Sequence, residues 1–269
     1  MSGYLPPFCE YAVRHVYHGA TNIRCPDVLG LVAPVLLVDV NGKTIVCKFN
    51  DEAIVKKNLI VSDLMKKNNI PTPKIDIHSY RGAWFETYDF IPVKTLHEHI
   101  ADGLSEKQVL NAYIQAIKIQ NKISQIPITE FMPTKYRFHG DVITMHAQGH
   151  RSLFAVYKKL LARNAMAGHQ ILLHCDIHPK NILYSPETGQ VFLIDLDAVG
   201  LCNETFSMLK MLYHSPLKNH DELMNIYEAE TGRQLHRHTI KLSLNTVHTI
   251  HNHRGTILQL YTKIQSLTK

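Results

Sequence analysis

The chain has 269 residues, 45% hydrophobic and 19% charged, with a formal net charge of +6. That is enough apolar material for one large domain or two lobes with sizeable cores, and too much for a disordered chain. Five scattered cysteines without a Cys-x-x-Cys pair and no basic, apolar leader point to a reduced, cytoplasmic protein, and no run approaches the roughly 18 apolar residues of a membrane span.

The opening MSGYLPPFCEYAVRHVYHGA carries two prolines and little periodicity, and reads as a lead-in without an assigned element. From Val28 the pattern turns β-like: VLGLVAPVLLVDV, then Asn41-Gly42, then KTIVCKF. Asn-Gly between two β-branched runs predicts a hairpin, because both residues tolerate the positive φ of a tight turn. Residues 52–69 place Ile54, Leu59, Val61, Leu64 and Met65 at three-to-four-residue intervals, which predicts an amphipathic helix ending before Pro71. IDIHSY and AWFETYDFIP then read as two more strands around Arg81-Gly82.

Beyond Lys94 the pattern becomes helical. LHEHIADGL, SEKQVLNAYIQAIKIQNKIS and SLFAVYKKLLARNAMAGH are predicted helices, the second capped by Ser105 with Glu106 beside it. The stretch between the last two, QIPITEFMPTKYRFHGDVITMHAQGH, is rich in loop residues. ETFSMLKMLYH, DELMNIYEAETG and the run from His238 to Leu267 are further helix candidates.

The chemistry concentrates in Leu172–Asp197, LLHCDIHPKNILYSPETGQVFLIDLD. An apolar arm turns polar at His178-Pro179-Lys180-Asn181, and after Pro-Glu-Thr-Gly a second apolar arm ends in Asp195 and Asp197. The layout is hairpin-like, with acids at its edges. Folding would bring a candidate base, Asp176, to candidate hard-oxygen metal ligands, Asn181 and Asp195, the parts phosphoryl transfer needs.

The order His174-x-Asp176-x-x-x-x-Asn181, followed by Ile194-Asp195-Leu196-Asp197, resembles the catalytic loop and metal-binding aspartate of the kinase-like superfamily. HCDIHPKNIL with LIDLD is most similar to its aminoglycoside phosphotransferase and choline kinase branch. The resemblance runs from about residue 28 to 235. It implies an α+β fold of two lobes, residues 1–92 a β-rich nucleotide-binding lobe and 93–269 a helical lobe with the catalytic loop. It also implies ATP or GTP and Mg²⁺ as cofactors, with a small hydroxyl compound as acceptor. Asp176 would be the base and His174 its brace; Asn181 and Asp195 would ligate Mg²⁺, and Asp197 would be an auxiliary metal contact or a buried hydrogen-bond acceptor. Lys48 would hold the α/β-phosphates, and backbone groups around Tyr88, Asp89 and Phe90 would take the base of the nucleotide.

The sequence also departs from that pattern. Gly30 and Pro34 stand where a glycine-rich turn is expected, with Gly19 the alternative if the first strand lies upstream. Asn58 occupies the position of the helix glutamate that holds the lysine, unless Glu52 takes over from another turn, and Val93 replaces a usual glycine. These departures keep open an inactive, nucleotide-binding scaffold. The pairs Lys56-Lys57, Lys66-Lys67 and Lys158-Lys159 read as solvated helix faces, and without aromatic-basic interleaving a nucleic-acid role is not expected. Eighteen histidines include the group His236, His238, His248, His251 and His253, but no zinc spacing. Few acids follow Asp197, which argues against a strongly cationic substrate.

Overall fold

The computed structural model describes residues 7–26, 33–131, 170–241 and 244–245. The architecture is α+β in two lobes. The first is an antiparallel five-stranded sheet in the order β1-β2-β3-β5-β4, comprising β1 (Ala20–Arg24), β2 (Val35–Val40), β3 (Lys43–Asn50), β4 (Asp76–Tyr80) and β5 (Ala83–Asp89). Asn41 (φ 50°) and Gly42 (φ 77°) close the β2–β3 hairpin, and Arg81 (φ 48°) and Gly82 (φ 84°) close β4–β5. Both turns have two successive positive φ values, the geometry that matches the twist of the flanking strands.

The N-terminal segment is where the fold exceeds its sequence signal. It forms helix α1 (Pro7–Val16) and strand β1, neither of which the lead-in pattern predicted. Cys9, Ala12 and Val13, spaced three and four apart, are buried against Leu36, Val38, Cys47, Phe49 and Phe85 of the sheet. These are small residues, so the stripe is weakly apolar and hides in composition. Tyr17 fastens the helix end, its hydroxyl lying 2.9 Å from Thr87 Oγ1 and 3.0 Å from His78 Nε2. β1 is polar and partly exposed, with a register irregularity between Thr21 and Arg24, so it lacks a clean period-two pattern. The β1–β2 connection contains Gly30, which lies outside the described residues.

Helix α2 (Glu52–Lys67) follows β3 directly and spans the predicted amphipathic stretch less its last two residues. The second lobe contains α3 (Leu96–Ala101), α4 (Glu106–Ser124), the short α5 (Ile128–Phe131), four short strands, α6 (Glu204–His214) and α7 (His220–Thr231). Thr95 with Glu98, and Ser105 with Gln108, form reciprocal capping boxes. Each satisfies two amides that the start of a helix leaves open. At Ser105 the partner is therefore Gln108 rather than the neighbouring Glu106. α7 ends on Gly232 at φ 68°, the left-handed position where a Cβ would add strain.

The four short strands form two separate ladders. β6 (Ile171–His174) pairs with β9 (Val199–Cys202), and β7 (Ile182–Tyr184) pairs with β8 (Val191–Leu193). The expected single hairpin is thus nested: its inner arms are β7 and β8, while the outer arm β6 takes a partner beyond Asp197. The reason is visible in the sequence between β6 and β7, where His178 caps a 3₁₀ turn at Pro179–Asn181 and redirects the chain. The main core joins α2 residues Val61 and Met65 to Tyr113 and Ile117 of α4, Leu172, Leu193 and Tyr227, so it runs continuously from the sheet's helix into the helical lobe. The helices expected over the run ending at His169 and over most of the C-terminal stretch lie outside the described residues, as does most of the loop-rich stretch between 125 and 150. Among the described residues no helix is long and apolar enough to cross a membrane.

Candidate active site

Two turns and one strand build the site. β6 delivers His174 into the interior, fully buried. Its Nδ1 faces the Asp176 amide at 3.4 Å and its Nε2 lies 2.8 Å from the Ile194 carbonyl. An amide must donate and a carbonyl must accept, so the proton of the neutral ring belongs on Nε2. Burial, the dominant influence, pushes its pKa below the ordinary histidine value. The ring therefore links the loop at Asp176 to the strand end before Asp195. Gln120 of α4 reinforces it, accepting from the His174 amide at 2.9 Å and donating to Ser207 Oγ at 2.8 Å.

Asn181 closes the same loop. Its Nδ2 donates to the Asp176 carbonyl at 3.0 Å, and its own carbonyl accepts from the Ile194 amide at 3.0 Å. Asp195 then stands at φ 67°, a left-handed conformation uncommon for a residue with a Cβ and concentrated at functional turns. That turn aims the carboxylate back at the sheet: Lys48 Nζ of β3 is 2.6 Å from Asp195 Oδ1 and 2.8 Å from Asp197 Oδ2. Lys48 is only 7% exposed. Burial alone would lower its pKa, but Asp195, Asp197 and Glu86 outweigh it and hold the ammonium charged above the ordinary lysine value.

Asp197 has its oxygens occupied. Oδ1 accepts from Asn58 Nδ2 at 2.5 Å, and Oδ2 accepts from Asn50 Nδ2 at 2.7 Å besides the Lys48 contact. The same Asn58 amide donates to Glu86 Oε2 at 2.7 Å. Asn58 thus bridges two acids where a glutamate would have repelled both. Glu52 has no part in this, since it pairs with Lys56 on the exposed face of α2. Glu86 sits opposite Lys48 in the β3–β5 register, 2% exposed, and burial pushes its pKa up to about 7 against the pull of Lys48.

Lys57 is the second buried lysine, 3% exposed, donating to the carbonyls of Asp197 at 2.5 Å and Val199 at 3.1 Å. Burial lowers its pKa to about 8. Half of the Lys56-Lys57 pair is therefore a solvated face and half is a strut. Around the carboxylate of Asp176, Lys210 Nζ of α6 is 2.8 Å from Oδ1 and His178 Nε2 is 3.5 Å from Oδ2. Oδ1 is sealed from solvent, and the Lys210 contact is an ion pair without the alignment of a hydrogen bond. Burial would raise the pKa of Asp176, but His178 and Lys210 overcome it and hold the group well below the carboxylate range.

Tyr88 and Asp89 end β5 and Phe90 follows it, 41% exposed. The Phe90 amide donates to the Thr44 carbonyl at 3.1 Å, and the Val93 amide to Ile91 at 2.7 Å. Those two donors are spent on the protein. The fold brings Lys48, Asp195 and Asp197 into contact and ties Asp176 and Asn181 to them through the backbone, while Tyr88–Phe90 lie where β5 leaves the sheet. Glu86, Lys210 and Gln120 were not singled out in the sequence, and Lys57 was read there only as part of a solvated helix face. A lone lysine within the apolar ETFSMLKMLYH is the one signal among them, because it interrupts an otherwise buried helix face.

Hard-oxygen chemistry is available for a divalent cation. Asn181 closes the 3₁₀ turn that follows the base, and Asp195 comes after β8, its neighbour Ile194 bonded to the Asn181 carbonyl. Among the described residues no group of three or more His, Cys, Asp or Glu has the arrangement of a complete metal site. Mg²⁺ keeps waters and phosphate oxygens and takes only one or two protein ligands, so Asn181 and Asp195 are the residues that would hold it.

A family model described as the phosphotransferase enzyme family matches residues 34–203. No curated protein matches the chain. Solved structures match over nearly the full length. Aminoglycoside-3'-phosphotransferase of type VIII is 14% identical with a TM-score of 0.64, covering 88% of this chain and 96% of that one. The GDP and kanamycin complex of APH(2")-IIIa is 14% identical with a TM-score of 0.67, covering 97% and 94%. A thermostable mutant of APH(4)-Ia with ADP and hygromycin B is 15% identical with a TM-score of 0.60, covering 91% of each. At these identities the likeness is one of fold, the two-lobe kinase-like fold. The family match spans more than half of the sequence and takes in both Lys48 and the whole Asp176–Asp197 stretch, so the chain belongs to the phosphotransferase enzyme family.

Proposed function

We propose that the chain is a kinase that transfers the γ-phosphoryl group of ATP or GTP to a hydroxyl of a small molecule, with residues 1–92 as its nucleotide lobe and 93–269 as its acceptor lobe. The observation that carries this reading is the convergence of Lys48 from the sheet with Asp195 from the helical lobe, 2.6 Å apart, beside the loop bearing Asp176 and Asn181. In this reading Asp176 orients the acceptor hydroxyl and takes its proton as the oxygen bonds to the γ-phosphorus and the bridging β–γ P–O bond breaks. Asn181 and Asp195 would hold Mg²⁺, which spreads the phosphate charge when bound. Lys48, freed from part of its carboxylate pairing, would turn to the α/β-phosphates. Asp197 keeps the lysine and Asn58 in register rather than acting as a metal ligand, because its oxygens already have donors. His174 braces the loop, and backbone groups at Tyr88, Asp89 and Ile91 would meet the base, the Phe90 amide being occupied. The GDP and ADP complexes of the structural neighbours support a nucleotide in this cleft.

A scaffold reading keeps one specific observation in its favour: Asp176 is already paired with Lys210 and His178. Nucleotide consumption by purified protein against a panel of small hydroxyl compounds separates the two. A kinase should consume nucleotide with at least one acceptor and lose turnover by about a hundredfold or more in Asp176→Asn. Turnover that survives Asp176→Asn would sink the assigned base, and absence of acceptor-dependent turnover would favour the scaffold.

A further inference from the structure

Asp176 is faced by a side chain of donor type at each oxygen. Lys210 approaches one carboxylate oxygen at 2.8 Å and His178 the other at 3.5 Å. His178 Nδ1 accepts from the Lys180 amide, so the proton of its ring points from Nε2 toward Asp176. His214, one turn beyond Lys210, stands with its ring 5.2 Å from that of His178. Burial, followed by Lys210 and His178, lowers its pKa to about 4, which leaves it neutral at pH 7. Lys180 is exposed on the same turn. The only acid of α6, Glu204, is committed elsewhere, to Arg233 at 3.0 Å and the Tyr227 hydroxyl at 2.9 Å.

Charge along the chain runs the same way. From Gly232 to Lys269 there is no Asp or Glu against six Lys and Arg, and residues 132–169 hold one acid, Asp141, against six Lys and Arg. A polyamine acceptor seated at Asp176 would meet the Lys210 ammonium 2.8 Å from the base. We propose that the acceptor is an anionic alcohol, with a carboxylate or phosphate near the reacting hydroxyl, and that Lys210 is the side chain that selects it.

Distances set how near the anion must be. A hydroxyl poised on Asp176 Oδ2, the oxygen not sealed from solvent, sits about 3 Å from it. An anion held by the Lys210 ammonium sits about 2.8 Å from Nζ. With Nζ 2.8 Å from the other oxygen of the same carboxylate, the two groups belong on the same or neighbouring carbons. Lys210 is part-exposed, its side chain 28% accessible, and its contact with Asp176 lacks hydrogen-bond alignment, so the ammonium keeps donor capacity for a second anion.

The inference rests on the phosphotransferase reading, and matched acceptors keep the two apart. The full chain with Mg²⁺ and ATP or GTP is assayed on hydroxy acids and their amides, on sugar phosphates and their parent sugars, and on kanamycin as a polycation. Wild type should favour each anion over its neutral partner at least tenfold in kcat/KM. K210Q should bring that ratio close to one, chiefly through KM for the anion, and K210R should keep a preference; thermal melts check that both variants fold. Equal turnover of charged and neutral partners, preference for the polycation, or an unchanged ratio in K210Q would each overturn the anionic acceptor while leaving a kinase. Nucleotide binding without turnover of any acceptor would overturn it too, and failure to bind nucleotide would overturn both readings.

Discussion

At the scale of single residues, the acids of the site divide by what already surrounds them. Asp176 has Lys210 on one oxygen and the His178 ring near the other, Asp195 has one lysine, and Asp197 has three donors. Replacing Asp176 by Asn should therefore preserve Mg²⁺-nucleotide binding and abolish turnover, whereas Asp195→Asn should weaken Mg²⁺-dependent binding itself, read by calorimetry with and without the metal. Asp197→Ala should behave differently from both, loosening Lys48, Asn50 and Asn58 together and lowering the melting temperature before it touches chemistry. Glu86 carries a pH signature. Its pKa is raised from 4.5 to about 7, so between those values the folded chain keeps a proton that the unfolded chain has released. Its contribution to stability is full below about pH 4.5 and is lost as pH rises through about 7. Denaturant unfolding from pH 4.5 to 7.5 should show a decline that Glu86→Gln removes, up to roughly 3 kcal/mol from a shift of that size. An unchanged decline in the variant would assign the effect to other groups.

At the scale of elements, legibility followed locality. His174, Asp176, Asn181 and Asp195 sit at fixed offsets in one short stretch, and the turns Asn41-Gly42 and Arg81-Gly82 announce their own geometry, so these features are readable without neighbours. The partners that matter most come from remote elements. Glu86 meets Lys48 only through the β3–β5 register, and Lys210 meets Asp176 only through the packing of α6 on β6. Lys57 shows the problem at its sharpest, because it differs from the solvated Lys56 only by a 100° step around α2. It pins that helix to the carbonyls of Asp197 and Val199. Lys57→Met fills most of the volume but leaves two carbonyls without their donor, which should cost about 1–3 kcal/mol for each one left unsatisfied. Because those carbonyls flank the Asp195–Asp197 turn, weaker Mg²⁺-nucleotide binding should accompany the loss of stability. Unchanged nucleotide affinity in a destabilised Lys57→Met would show that the strut serves the fold alone.

At the scale of the whole molecule, the described residues of the two lobes meet along an apolar and a polar seam. The apolar seam is the cluster in which Val61 and Met65 of α2 join the helical lobe, and the polar seam is Lys48 with Asp195 and Asp197. A nucleotide with Mg²⁺ would bind on the polar seam and replace one lysine–carboxylate contact by a phosphate and a metal shared between lobes. Such a ligand binds only the folded arrangement, so at a hundredfold excess over Kd it should add about 2.7 kcal/mol. For a chain of this size, about 2–4 °C of Tm per kcal/mol gives an expected rise of roughly 5–10 °C. The rise should need both components: nucleotide without Mg²⁺ gives less, because Asp195 would face the phosphates with its charge uncompensated. Lys48→Ala should remove most of the shift, and its own Tm should fall as well, since Asp195, Asp197 and Glu86 would be left as close acids with their shared cation gone. Thermal melts of wild type and Lys48→Ala, each with nucleotide, Mg²⁺, both or neither, read these effects in one experiment. A shift that persists in Lys48→Ala, or that is indifferent to Mg²⁺, would place the nucleotide away from the seam between the lobes.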